Sequence, residues 1–131
     1  MLKYMLDTDT VSFALRGLGN AATRLLEHPP SEVCISSITL GELRFGAEAR
    51  QSRKLHRLID TFVVSVTVIP FDQSAADRFG LVAHALARRG EPIGSFDTLM
   101  AAHALSRELT FVTNNSKHFQ RVRGLKTENW V

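Results

Sequence analysis

Apolar residues recur along the chain in two spacings. Short runs bounded by polar or chain-breaking residues fit buried strands: Tyr4-Met5-Leu6, Val33-Cys34-Ile35 and Thr110-Phe111-Val112-Thr113. The Val-rich stretch from Val63 to Ile69, ended by Pro70, predicts another, and residues 127–130 a last edge strand. Between these runs the apolar positions fall three and four apart, the spacing of a helix with one buried face. Helices are predicted over 10–16, broken by Gly17 and Gly19, and over 20–27, before Pro29-Pro30. Others are predicted over 38–50, 53–62, 72–89 and 95–107, with a short turn around 117–121. Thr8 or Asp9 is the expected cap of the first, and Ser95 of the helix at 95–107. Strands alternating with helices predict an α/β fold: a mainly parallel sheet of four or five strands, flanked by helices on both faces.

Composition narrows the function classes. At 131 residues the chain has the length of one domain. No apolar run approaches the roughly 20 residues of a membrane span. No basic-then-apolar leader precedes Asp7, so the expected compartment is cytoplasmic. The one cysteine, Cys34, lies in an apolar run and reads as a buried, inert thiol. The net charge of +3 is uninformative, but Arg44, Arg50, Arg53, Lys54 and Arg57 crowd one segment. Lys117, Arg121, Arg123 and Lys126 crowd another, and such patches attract phosphates or simply face water.

Three acids stand where a surface acid would not. Asp7 directly follows the first strand, at the sheet edge where open α/β folds bind ligands. Glu42 shares a predicted helix face with Ile38, Phe45 and Ala49. A capping box with Thr39 is the alternative there. Asp97 shares a face with Met100, Ala101, Ala104 and Leu105, away from His103, Ser106 and Arg107. Its alternative is a first-turn acid favoured by the helix dipole. In a parallel sheet these acids can converge with Asn115, which follows the strand at 110–113. Hard oxygen ligands at one rim suit Mg2+ or Mn2+. Two such ions can activate water and stabilise the leaving oxygen in phosphodiester hydrolysis. No Cys/His spacing suits zinc, and no phosphate-cradling glycine loop or complete serine-hydrolase motif is present.

Four stretches in register carry a resemblance. They are Met5-Leu6-Asp7-Thr8-Asp9, the run from Ile35 to Ala47 with Gly41-Glu42, the run from Pro92 to Ala104 with Phe96-Asp97, and Phe111-Val112-Thr113-Asn114-Asn115 with Phe119. With the ending Gly124-Leu125-Lys126-Thr127-Glu128-Asn129-Trp130, the chain resembles the PIN-domain nucleases, and among them the VapC toxins of bacterial toxin–antitoxin pairs. The resemblance covers the chain as a single PIN domain, residues 1–131. It implies a PIN-like sheet and Mg2+- or Mn2+-dependent cleavage of RNA, often transfer or ribosomal RNA. It implies Asp7, Glu42, Asp97 and Asn115 as the catalytic set, with Asp7, Asp97 and Glu42 on the metal. The fourth position is often Asp in the family, so Asn115 brings no charge and is auxiliary. Asp9 is not one of the shared acids and is expected to cap a helix. A cognate VapB-type antitoxin is implied, with a homodimer and a toxin–antitoxin hetero-oligomer. Apolar residues of the helices at 10–16, 20–27 and 53–62 are candidates for its groove, or ordinary core.

Two other readings compete. Asp7-Thr8-Asp9-Thr10-Val11 fits the signature of haloacid-dehalogenase-type phosphohydrolases, with Asp7 as nucleophile and Asp9 as acid/base. That reading lacks a later acidic pair and leaves Glu42 and Asp97 unexplained. The other is a PIN domain that only binds RNA or protein, motivated by the missing fourth carboxylate.

Overall fold

A computed structural model describes residues 1–131. Five strands form one sheet: β1 (Tyr4–Leu6), β2 (Val33–Ser36), β3 (Thr67–Ile69), β4 (Thr110–Val112) and β5 (Thr127–Glu128). Their spatial order is β3-β2-β1-β4-β5, and every neighbouring pair is parallel. The helices are α1 (Thr8–Arg16), α2 (Ala21–Leu26), α3 (Ser37–Ala49), α4 (Arg53–Ser65), α5 (Gln73–Arg88), α6 (Ser95–Ser106) and α7 (Ser116–Phe119). A 3-10 turn at Pro30–Glu32, not expected from the sequence, leads into β2. No helix is long and apolar enough to cross a membrane.

The two-residue period of a strand sorts the short apolar runs between two cores. Met5, Cys34 and Phe111 pack with Leu86, Met100, Ala101, Ala104 and Phe119 from α5, α6 and α7. Leu6, Val33, Ile35 and Val112 pack with Val11, Leu43, Ala47, Ile59 and Phe62 from α1, α3 and α4, and with Trp130. The sheet is therefore covered on both faces, as continuous apolar strands require. Cys34 is fully buried, and burial pushes its thiol up to about 12, consistent with an inert side chain.

Some boundaries differ from those predicted. The α1 helix starts at Thr8, and its cap is Asp7 rather than Thr8 or Asp9: Asp7 is extended (φ −77°, ψ 170°) and accepts from the Thr10 amide at 2.8 Å. The α4 helix runs on to Ser65 and takes the start of the Val-rich stretch. Burial of Ile59 and Phe62 on its inner face outweighs the strand preference of Val63 and Val64. Gly94, not Ser95, precedes α6, at φ 96°, and gives no side-chain cap. The α6 helix is enclosed on almost every side, so His103 is buried rather than turned to solvent, and its Nδ1 pairs with Ser36 Oγ at 2.8 Å.

Candidate active site

The chain leaves β1 towards β2 and leaves β4 towards β5, on opposite sides of the sheet. The carboxyl ends of β1 and β4 thus flank a topological switch point, the place where such sheets bind ligands. Asp7 follows β1 there and is 5% exposed. Besides the Thr10 amide bond, the Thr113 side chain lies close enough to Asp7 to favour its charged form. Burial raises its carboxyl above the ordinary 3.8, Thr113 and Thr10 oppose this, and the charge of Asp9 adds to it.

Glu42 lies within α3 and is half-buried, with Oε1 accepting from Thr8 Oγ1 at 2.5 Å. It forms no capping box, because α3 starts five residues earlier and is capped by Ser36 on the Ile38 amide. Nor does it lie on the core face, which carries Thr39, Leu43 and Ala47. Its expected apolar neighbours Phe45 and Ala49 are exposed. Burial raises the Glu42 carboxyl, Thr8 opposes the rise, and Asp97 and Asp9 reinforce it.

Asp97 occupies the first turn of α6. Its Oδ2 lies 3.1 Å from His118 Nε2, which is also 3.0 Å from the Ile93 carbonyl. A carbonyl only accepts, so Nε2 carries the proton and donates to both. Burial raises the Asp97 carboxyl, His118 opposes it, and Asp9 adds to it. The α6 helix is anchored to the same edge by Met100, whose sulfur lies 3.1 Å from Thr39 Oγ1 and 3.6 Å from Thr8 Oγ1.

Asn115 precedes α7 without a side-chain cap bond, and its amide donates to Thr113 Oγ1 at 3.0 Å. Its link to Asp7 therefore runs through Thr113. Asp9 is exposed in the first turn of α1 and adds negative charge at Asp7, Glu42 and Asp97 alike. Thr8, Thr113 and His118 were not singled out by the sequence as supports of the acids. Only Thr8, lodged between two acids, carried a local signal.

The donor set fits a divalent cation. Three carboxylates from three elements are held at raised proton affinity by burial and by the charge of Asp9, with Asp97 adding to the rise at Glu42. Neither Asp7 nor Glu42 forms an ion pair, and Asp97 has only His118. No three His, Cys, Asp or Glu side chains close into a complete ligand cluster. An ion at this edge would therefore be held by one or two of these carboxylates, with waters and substrate phosphate filling its other positions.

A family model described as PIN domain matches residues 4–125. The protein named tRNA(fMet)-specific endonuclease VapC of Shigella flexneri is 41% identical over 131 residues, covering 99% of each chain. Ribonuclease VapC2 of Haemophilus influenzae is 36% identical over 132 residues, covering all of both. Among solved structures, DNA-bound VapBC from Salmonella typhimurium matches with a TM-score of 0.90 at 39% identity over all of both chains. VapBC2 from Rickettsia felis, bound to a promoter DNA fragment, matches with a TM-score of 0.90 at 31% identity, covering 99% and 100%.

Proposed function

The chain belongs to the PIN domain family, and on that premise we propose that it is a metal-dependent endoribonuclease, the toxin of a VapBC-type pair inhibited by a cognate VapB-type antitoxin. The observation that carries this is the set of Asp7, which is buried, and Glu42 and Asp97, which are partly buried, none of them neutralised by a Lys or Arg. Two relatives, 41% and 38% identical, are named for tRNA(fMet), so transfer RNA is the first substrate to test.

Asp7 and Asp97 would hold the cation, with Glu42 beside them. When bound there, Mg2+ or Mn2+ supplies Lewis acidity for water activation and offsets charge on the phosphate. Thr113 and the Thr10 amide fix the Asp7 carboxylate, and the His118 Nε2–H fixes Asp97. Thr8 occupies Glu42 Oε1, which leaves Oε2 to orient the attacking water and receive its proton. Asn115 adds a neutral amide at the end of β4, an auxiliary contact for water or phosphate. The phosphohydrolase reading requires Asp7 as a free nucleophile, whereas the residue is 5% exposed and its carboxylate accepts from the Thr10 amide.

A groove between α1, α3 and α4 supports the antitoxin part of the proposal. Leu15, Leu55 and Ile59 line it, and Thr8, Asp9 and Glu42 border it, so a segment laid along it would reach the acids. Val11, Ile59 and Phe62, three of the apolar residues of these helices, are core, so Ile59 forms only the floor of the groove.

The test is cleavage of purified transfer RNA in Mg2+, Mn2+ or chelator, with cut sites read from the new 5′ ends. The parent cleaves in metal and stops in chelator, while Asp7→Asn and Asp97→Asn lose most of the activity. A parent that leaves RNA intact in both metals, or an Asp97→Asn protein cutting at the parent rate, overturns the proposal. RNA binding without cleavage would instead mark a PIN domain that only binds.

A further inference from the structure

The α3 face that carries Glu42 presents an apolar residue to water. Phe45 is 76% exposed, and Phe96, in the first turn of α6, is 57% exposed. Both line one cleft of about 620 Å3, within the roughly 300–1,000 Å3 typical of ligand clefts. Ile38 and Gly41 of α3 complete its wall, and Gly41 adds no side chain to fill it. Thr8 and Glu42 border the cleft, and they are also the hydrogen-bonded pair at the acid site. The cleft and the candidate active site are therefore continuous.

The chemistry around the two rings selects the occupant. Phe96 sits in the turn of α6 that lacks a side-chain cap, so amides of that turn remain free to meet an anion. Glu42 also borders the cleft, on the side of the acid site, where a cation is expected to gather phosphate oxygens. An apolar helix of a partner would cover the rings but leave Glu42 and the amides unmatched. A nucleotide carries a flat, uncharged π-face and an anionic phosphate on one unit, and it matches both. Bases of single-stranded RNA are recognised by such stacking on aromatic side chains.

We propose that Phe45 and Phe96 form a stacking subsite for an unpaired nucleobase adjoining the scissile phosphate of the RNA. The inference rests on the ribonuclease reading above and adds to it a requirement: the cut must lie in a loop or single strand whose neighbouring base can turn out into the cleft.

Steady-state cleavage of a loop-containing RNA in Mg2+ tests it, using the full chain with Phe45→Ala, Phe96→Ala, Phe→Leu and Phe→Trp at both positions. The same RNA carrying single abasic nucleotides, walked across the cut, is the second arm. Either Ala or Leu change should raise KM by about 5- to 140-fold, the factor that corresponds to one stacked base. Trp should restore the parent KM, and kcat should hold. One abasic position should raise KM similarly in the parent and add nothing further in the Ala variants, the non-additivity of two partners in one contact. The Leu variants keep apolar bulk without a ring, so they preserve the test should Ala impair folding. Parental KM in the Leu variants, or KM losses that multiply with every abasic site, overturns the subsite while leaving the nuclease intact. So does a Leu variant that only changes the oligomer mass in light scattering, which would assign the rings to a second copy. A parent that neither binds nor cuts RNA overturns both readings together.

Discussion

Asp7 is held by two opposing demands: its hydrogen bonds favour the charged carboxylate, and its burial favours the neutral acid. Burial is the larger influence, so the folded pKa lies above the ordinary 3.8. A carboxyl raised in this way contributes stability that is fully present below its unfolded pKa and lost as pH rises through its folded pKa. Asp7→Asn keeps a good cap and never ionises. Its melting temperature should therefore exceed the parent's at pH 7, and the gain should vanish below about pH 4, near the unfolded carboxylate pKa. Asp7→Ala removes the cap as well, at a cost of about 1 kcal/mol. Equal melting curves for parent and Asn variant across that range would contradict the burial argument. Mg2+ should act in the opposite sense, raising the melting temperature of the parent through binding to the folded state alone. Asp97→Asn should show a smaller rise at the same Mg2+ concentration. The three acids were legible in the sequence because each broke an expected pattern, although the reason assigned to Glu42 was wrong: the face it shares with Phe45 is a cleft wall, not core. Thr113 and His118 were not legible as supports, because the carboxylates they hold lie far away along the chain.

At the scale of elements, helix and strand types followed directly from spacing, and errors gathered at helix starts. A cap is chosen by backbone geometry that only the folded chain reveals. Gly94 illustrates this: its φ of 96° and ψ of 154° lie in a region that L side chains avoid, and it sets the entry to α6. Open space surrounds the position of an added Cβ, so a substitution meets strain and no clash. Gly94→Ala should cost roughly 1–3 kcal/mol, read as a lower urea midpoint with unchanged slope. Because α6 delivers both Asp97 and Phe96, RNA cleavage should fall more steeply than stability. An unaltered midpoint would mean that the loop from Gly90 to Gly94 relaxes freely. The α4 extension to Ser65 shows the complementary limit: propensity of Val63 and Val64 cannot be weighed against packing partners not yet known.

For the whole molecule, strand alternation predicted the α/β class and a parallel sheet, but no local pattern encodes the order β3-β2-β1-β4-β5. That order follows from which strands share cores, a long-range property. It places the groove between α1, α3 and α4 alongside the acids. Co-expression with the adjacent open reading frame should yield a complex that copurifies and restores growth. Charged substitutions at Leu15 and Leu55 should release the partner without abolishing cleavage. A partner that still binds such a double variant with parental affinity lies elsewhere on the surface.

The pairing of β1 with β4 also sets a schedule for the nascent chain. Leu6 stands beside Val112, so β1 waits for a strand made long after it. Until β4 emerges from the ribosome, Asp7 has no Thr113 to hold it, and the core shared by Met5 and Phe111 stays open. A chain with this pairing cannot complete the proposed site before β4 is made, so RNA cleavage is expected only once residues 110–113 have left the ribosome. Chains stalled before Thr110 should sediment on intact ribosomes and leave added RNA uncut, whereas chains released at full length should not.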